Sequence, residues 1–358
     1  MKTAVIVFPD EWLPYSPTVL NLLQCLKERG YRAKVVTVRS SLFRNFEGYE
    51  NDVASFRVPR LLQRILTRLR LYKLLKFLLF LLIHGRAIRK ADISFGVDSL
   101  GFVIARLAGQ KPYYVSLEVL HDPWLRLALR FGIPHVLIQT KERYDWLFDG
   151  VTEPPPYSIL PNAPIVESRV LPAQTGNELV YFGYIAAEHG AEACIGALQH
   201  LAADYRLTLK GPAHDEYVDT LKAKYQSLID AGRLTIDTSY AAPEEVIPFL
   251  RRFAAGFCLY DFDLISRADF NYVSCPSGKL FHYLAAGVPI IGSDILGLQL
   301  VREKRCGVLL NELTPQRIAD AVRAIERDRQ GFAQRCLEAS AELDFREHFD
   351  RFMAMVER

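Results

Sequence analysis

Acidic residues are missing from the whole stretch between Arg57 and Lys90, a local absence that returns below. Paired cysteines are missing too. The six cysteines (Cys25, Cys194, Cys258, Cys275, Cys306 and Cys336) are scattered, with no C-x-x-C and no histidine pair at zinc-like spacing. That excludes a zinc ribbon or a disulfide framework and suits free thiols in a reducing cytoplasm. Long apolar runs are absent: the longest, Phe77 to Ile83, falls far short of the roughly 20 residues that a spanning helix needs. The opening MKTAVIVFPDEW offers too short an apolar run for a signal peptide and no small-residue cleavage site, so the expected location is cytoplasmic. Net charge is small, +3, which gives no reason to expect a nucleic-acid partner. No D-x-D motif stands between apolar strands; DFD at 261–263 is the nearest and reads as a strand-end loop, so no metal and no cofactor are expected.

What is present is the profile of a folded protein, half hydrophobic and 24% charged, in a chain of 358 residues that suits two domains. The apolar run at 3–8 (TAVIVF) reads as a buried parallel strand. A helix through TVLNLLQCLKER follows, closed by Gly30, and then a strand at 33–38. This βαβ opening continues with strands at 92–97, 112–117 and 135–140. Between 150 and 178 the chain turns rich in proline and polar residues and reads as a linker. Alternation then resumes with ELVYFGY, a helix from about Glu188 to Leu201, YRLTLKG, a helix through Leu228, and RLTIDTS. PEEVIPFLRRF, AGFCLYD, VPIIGS and CGVLL continue it, and Thr314 is placed to cap a helix that has Pro315 in its first turn. The expected fold class is α/β, two doubly wound Rossmann-like domains facing a central cleft. Residues 1–165 are expected to form the first domain, 166–335 the second, and 336–358 a helix crossing back to the first. Ligands in such sheets bind at the carboxyl ends of the strands.

The most informative stretch is CPSGKLFHYLAAGVPIIGSD, 275–294. Ser277 is placed as an N-cap and Gly278 lets a ligand approach the backbone. A helix N-terminus presents unpaired amides and the positive end of its dipole, and Lys279 adds a full charge there. His282, one turn on, shares a face with Lys279. A phosphate held at Lys279 would leave His282 near a neighbouring hydroxyl. Taken alone, a Ser-Gly-Lys turn before a capped helix also suits any αβ unit.

The full string KLFHYLAAGVPIIGSD resembles the carboxy-terminal signature of GT-B glycosyltransferases of group 1, the family 4-like type, which reads K-L-x-E-Y-x-A-x-G-x-P-V-I. YFGY at 181–184 stands where that family opens its second domain with a glycine loop facing phosphates. ILPNAP at 159–164 is similar to the end of its first domain. YYVSLE at 113–118, followed by IQTKER at 138–143, is similar to a strand-end Glu and later Gln and Arg of one branch. The resemblance implies a hexosyltransferase-type enzyme taking a nucleotide-diphosphate sugar as substrate. It places Lys279 on the diphosphate and His282 where a Glu usually holds the ribose hydroxyls. Gly183, Tyr184, Ser277 and Gly278 line the same end, and Tyr240, beside Ser239, falls where the base sits. Ser274 falls near a second family Glu. The positions of the family's Arg and Lys on the diphosphate carry Tyr184 and His189 here, which shifts the load to Lys279, the helix N-terminus and Lys210 or Arg267.

On the acceptor side, the loop PDEWLPYSP carries Asp10, Glu11, Trp12 and Tyr15 at a strand end, and SLEVLHDP carries Glu118 and His121. Asp10, Glu118 and His121 are the candidate acid–base groups. In the acid-free stretch, Leu61, Ile65 and Leu69 recur at i+4 spacing beside Arg60, Arg64 and Arg68, with Lys73 and Lys76 following. Such a stripe reads either as an interfacial helix on anionic headgroups, peripheral at the inner face of the cell membrane, or as a sheet-packed helix with a solvated cationic face. The first suits a retaining, metal-independent transferase acting on a lipid-linked glycan or polysaccharide precursor. A non-catalytic partner subunit of the same fold and a sugar-nucleotide epimerase stay open at this point.

Overall fold

The structure is a computed structural model that describes residues 1–40, 43, 49, 51–69, 71–171 and 176–357. The side chain of Arg60, and residues 70, 172–175 and 358 of the ranges named above, lie outside the described residues. The chain divides into two compact units: Met1–Pro161 together with Phe345–Arg358, and Asn162–Asp344.

The first unit is built on β1 (Thr3–Phe8), β2 (Arg32–Val38), β3 (Val53–Phe56), β4 (Ile93–Val97), β5 (Tyr113–Ser116), β6 (Val136–Ile138) and β7 (Tyr157–Ile159). They form one parallel sheet in the order β3-β2-β1-β4-β5-β6-β7. Its helices are α1 (Pro17–Glu28), α2 (Arg60–Arg68), α3 (Tyr72–Arg89), α4 (Asp98–Leu107), α5 (Pro123–Phe131) and α6 (Lys141–Leu147). The central strands are apolar on both faces, as a sheet covered twice by helices requires. The proline-rich stretch is not all linker: Tyr157, Ser158 and Ile159 pair with β6 as the edge strand β7, short enough to be set among prolines that a central strand would not accept.

The second unit holds β8 (Glu178–Phe182), β9 (Arg206–Lys210), β10 (Leu234–Asp237), β11 (Ala255–Cys258), β12 (Ile290–Ser293) and β13 (Gly307–Leu310). They form a parallel sheet in the order β10-β9-β8-β11-β12-β13. Around it lie α7 (Ala191–Ala197), α8 (Asp215–Lys224), α9 (Gln226–Asp230), α10 (Pro243–Leu250), α11 (Phe270–Val273), α12 (Gly278–Ala286), α13 (Gln299–Glu303), α14 (Pro315–Glu326) and α15 (Arg329–Glu342). Thr314 caps α14 by accepting the Arg317 amide, with Pro315 in the first turn. α15 stays with this unit because Cys336 and Ala339 are buried in its core. The last helix, α16 (Phe345–Val356), belongs to the first unit, where Phe349 and Phe352 pack on Phe95 of β4.

Candidate functional site

In an open α/β sheet the strand connections reverse at one place, and a crevice opens at the carboxyl ends of the two strands flanking it. In the second unit that place lies between β8 and β11. β8 runs out into Gly183, whose φ of +124° is a conformation that L-residues rarely adopt. Lys279, in the first turn of α12, crosses this glycine closely: a Cβ built at Gly183 would stand 2.6 Å from Lys279 Cε. The ammonium donates to the Tyr181 hydroxyl at 3.1 Å and stands 4.3 Å from the centre of the Tyr181 ring. Tyr181 donates in turn to the Tyr184 carbonyl at 2.6 Å. Among the described residues no carboxylate forms an ion pair with Lys279; Glu188 acts on it only at longer range, and burial pulls its pKa down. The result is a half-buried cation without a counter-ion, beside helix amides that have no partner within the helix.

α12 is fixed at this spot by Tyr283, fully buried. Its hydroxyl accepts the Phe182 amide at 2.9 Å and donates to the Phe257 carbonyl at 3.1 Å, so one side chain joins the ends of β8 and β11. Neither tyrosine was singled out from the sequence, where they stand only within the YFGY and KLFHYLAAG strings; the polar tip of each is the part that matters.

His282 stands one turn along α12, with Nδ1 2.7 Å from the Gly278 carbonyl. A carbonyl only accepts, so Nδ1 carries the proton and Nε2 is left as an acceptor. Burial lowers the His282 pKa against the opposing pull of the Gly278 bond, keeping the ring neutral. This imidazole therefore offers a ligand one lone pair, at Nε2. Ser277 occupies the N-cap position, but its side chain makes no cap bond. It is buried near the Cys258 thiol and the Tyr260 hydroxyl. Gly278 lies beside Asn162.

Tyr184 packs edge-on to His189 and His214. His189, where the resemblance would have a lysine, is held neutral. Burial first and the Lys279 charge second push its pKa down to about 3, and its Nδ1 is buried without a hydrogen-bond partner among the described residues. Lys210 does not supply the missing charge. It is 6% exposed, and its ammonium bonds to Asp237 at 2.7 Å and Ser239 at 2.6 Å. Arg267 lies exposed over the Phe262 ring. Ser274 is buried and donates to the Phe270 carbonyl at 2.6 Å, which uses its only proton inside α11. Tyr240 is half-buried in the loop after β10.

In the first unit the reversal lies between β1 and β4. Asp10 follows β1 and forms a tight turn, its Oδ1 accepting the amides of Glu11 at 2.6 Å and Trp12 at 3.3 Å. Trp12 and Tyr15 form an edge-on pair, both partly exposed. Asp98, opening α4 after β4, accepts the amides of Leu117 at 2.8 Å and Glu118 at 3.0 Å. Burial, then the charge of Glu118 and that of Asp10, push its pKa up to about 7. Asp10, Asp98 and Glu118 therefore share one electrostatic neighbourhood. His121 is turned away from it: Nε2 bonds to the Leu147 carbonyl at 3.2 Å and the ring stacks on Trp146 at 4.1 Å.

The basic stretch divides. Arg64 and Arg68 are exposed on α2, and Leu61, Leu62, Ile65 and Leu69 are exposed with them, Leu61 at 73%. α3 buries Phe80, His84 and Ile88 and turns Leu74, Leu78, Leu82 and Ile83 outward, Leu82 at 80%. Lys73 pairs with Asp122 at 3.1 Å. Lys76 is not a surface residue. It is 9% exposed, its ammonium donates to the Pro9 carbonyl at 2.8 Å, and burial lowers its pKa. It falls on the face of α3 that packs inward, one turn before Phe80, so the sequence stripe ends at Lys73. Glu11 is equally engaged, accepting from Gln63 and Tyr72, both at 2.9 Å. No helix among the described residues is long and apolar enough to cross a membrane.

No protein-family model matches the chain, and no curated protein matches it. Solved structures do. The crystal structure of Anabaena HepE in complex with UDP and glucose aligns with a TM-score of 0.68 at 12% identity, covering 100% of both chains. The lipopolysaccharide outer core galactosyltransferase WaaB, in its apo form, aligns at 0.63 and 14%, covering 99% of each chain. WaaG, a glycosyltransferase involved in lipopolysaccharide biosynthesis, aligns at 0.61 and 12%, covering 97% of this chain and 98% of its own. The fold is GT-B. Within that GT-B fold, the Lys279 end of the second unit and the Asp10–Glu118 end of the first are each built at the reversal point of their own sheet.

Proposed function

We propose that this protein is a glycosyltransferase that moves a sugar from a nucleotide-diphosphate donor to a hydroxyl acceptor, a lipid-linked glycan or polysaccharide precursor. One observation carries the reading: the Lys279 ammonium is half-buried, lacks a counter-ion among the described residues, and stands at the amide end of α12. A diphosphate supplies that counter-ion and accepts from the first-turn amides. HepE holds UDP and glucose, and UDP-glucose in another crystal; WaaB and WaaG are named for transfer in lipopolysaccharide assembly. These neighbours support the same donor class and a lipid-linked acceptor.

In the reaction we assign, the bond from sugar C1 to the diphosphate oxygen breaks and a bond from C1 to the acceptor oxygen forms. Negative charge grows on the leaving phosphate, where Lys279 and the helix amides oppose it without a metal. The acceptor proton passes to the departing phosphate, as retention suits, or to a carboxylate at the Asp10–Glu118 end. The outward leucines of α2 and α3, set among Arg64, Arg68 and Lys73 with no acidic residue from 57 to 90, have no role in the core. We assign them to peripheral contact with an anionic membrane at its cytoplasmic face, where a lipid-linked acceptor would be met.

Melting of the purified protein with UDP, GDP, ADP, dTDP and CMP tests the donor site. One diphosphate should raise the melting temperature, and Lys279→Ala should abolish the rise. No shift with any nucleotide favours the non-catalytic partner reading, for which the neutral His189 and His282 speak. Co-sedimentation with phosphatidylglycerol vesicles, absent with phosphatidylcholine and lost in Leu61→Ser/Ile65→Ser, tests the membrane contact.

A further inference from the structure

Two non-glycine residues among those described adopt a left-handed backbone, and Asp98, at φ +52°, is one of them. The conformation is uncommon for any L-residue, and aspartate and asparagine tolerate it better than most. Asp98 holds it at the carboxyl end of β4, one strand from the Asp10 turn, at the reversal point of the first sheet. The twist brings its carboxylate to the turn after β5, where a single oxygen, Oδ1, accepts two consecutive amides, Leu117 at 2.8 Å and Glu118 at 3.0 Å.

The same turn is gripped from its other side. Arg143, 1% exposed on α6, donates from Nη2 to the Leu117 carbonyl at 2.8 Å. Leu117 thus has its amide held by a half-buried acid from α4 and its carbonyl held by a buried guanidinium from α6. The residue that follows, Glu118, is exposed. A strained residue and a buried charge both bear on the backbone next to one exposed carboxylate, which is more than a surface turn requires.

We infer that Asp98 is a positioning residue: its carboxylate, with Arg143, fixes the Leu117–Glu118 turn and so sets where the Glu118 carboxylate stands at the β1/β4 reversal point. The inference rests on the glycosyltransferase reading only for the use made of Glu118; the clamp itself is a property of the first unit.

The experiment has two arms. Amide hydrogen exchange at Leu117 and Glu118 should be slow in the wild type, fast in Asp98→Ala, and slow again in Asp98→Asn. The asparagine keeps the Oδ1 acceptor and accepts the left-handed backbone while lacking the charge. In the second arm, turnover is measured with whichever of UDP-, GDP-, ADP- or dTDP-glucose the wild type consumes. Asp98→Ala should lose about 10- to 100-fold in kcat with donor KM unchanged, the scale of a displaced catalytic group, and Asp98→Asn should keep at least a third of it. Asp98→Gly, which fits φ +52° without strain, replaces the alanine variant if that does not fold and should lose kcat in the same way. Retained protection in Asp98→Ala overturns the inference. So does wild-type kcat in that variant, or an Asp98→Asn as impaired as the alanine, since the charge itself would then be acting. A wild type that consumes none of the four sugars speaks against the glycosyltransferase reading alone, and the exchange arm still decides the role of Asp98.

Discussion

Replacing Lys279 by methionine should move two measurable quantities in opposite directions. In the free protein the ammonium is desolvated and has no counter-ion among the described residues, and burial holds its pKa below 10.5. Methionine has nearly the same length and lacks the charge. It keeps contact with the Tyr181 ring, at about 0.3–1.5 kcal/mol for a sulfur–aromatic pair, and gives up a desolvated cation–π contact of about 2 kcal/mol and the bond to the Tyr181 hydroxyl. Desolvating an ammonium that has no counter-ion costs several kcal/mol, more than these contacts return, so removing it stabilises the fold and the apo melting temperature should rise. Nucleotide binding should fall. A hydrogen bond to a charged group contributes about 1.5–3 kcal/mol, so the Kd for the stabilising diphosphate should weaken roughly 10- to 150-fold.

The alkaline limb supplies an independent sign. Between the depressed pKa of Lys279 and 10.5 the unfolded chain holds a proton that the folded chain has released. Stability of the wild type therefore gains from rising pH in that window, and Lys279→Met should lack this contribution. Calorimetric titration at fixed salt together with melting at pH 8 to 10.5 reads all three effects. A methionine variant that binds the diphosphate within about threefold of wild type, well under the tenfold that 1.4 kcal/mol represents, would refute the placement of the phosphate. One that melts lower than wild type would refute the claim that the ammonium lacks a counter-ion.

Gly183→Ala should both strain the backbone at φ +124° and push Lys279 aside, since the new Cβ would stand 2.6 Å from its Cε. The backbone cost is about 1–3 kcal/mol, read as a lower melting temperature, with diphosphate binding lost as in the Lys279 variant. His282→Ala should weaken binding only about 3- to 10-fold, one neutral hydrogen bond. His282→Glu should bind at least as tightly as wild type while melting lower, because it introduces a poorly solvated carboxylate and loses the bond to Gly278. His84 is buried against Phe56 and Phe80 with Nε2 unpartnered among the described residues, and burial lowers its pKa below 6.5. Folded and unfolded states then differ in bound protons below pH 6.5, where stability is lost as pH falls. His84→Leu should melt higher at pH 7, by about 1 kcal/mol for the removed unsatisfied atom, and show a shallower loss toward pH 5.

The strands buried on both faces were legible because their sequences are continuous apolar runs. The run at 3–8 is β1, and those at 33–38 and 92–97 differ from β2 and β4 by one residue at an end. The helix from Gly278 to Ala286 was legible from its stop, since Gly287 at φ +68° ends it. The two edge strands of the first sheet were not. β3 is half-buried along its length and β7 is three residues set among prolines, so neither carries an apolar run to read. Lys76 misled for a related reason. Its neighbours in sequence are exposed leucines and cations, and only the packing of α3 on the sheet decides which spoke of the helix points inward.

The site was half legible, and the division follows the chemistry. Lys279 declared itself because a cation at the start of a helix has a meaning before any tertiary structure exists. Asp98 could not, because in the sequence VDSLGF an aspartate before an apolar run reads as an ordinary helix start, while its function lies in a backbone angle and in two amides nearly twenty residues away. Tyr283 is intermediate: the signature string contains it, yet its hydroxyl acts on the ends of β8 and β11, which only the folded sheet brings together. The two ends of this protein thus differ in how they are specified. The Lys279 end depends on a local motif and should survive in any sequence that keeps Gly183, Lys279 and helix α12. The Asp98–Glu118 end depends on contacts among α4, the turn after β5 and α6, and should be lost to substitutions that leave every recognisable motif intact.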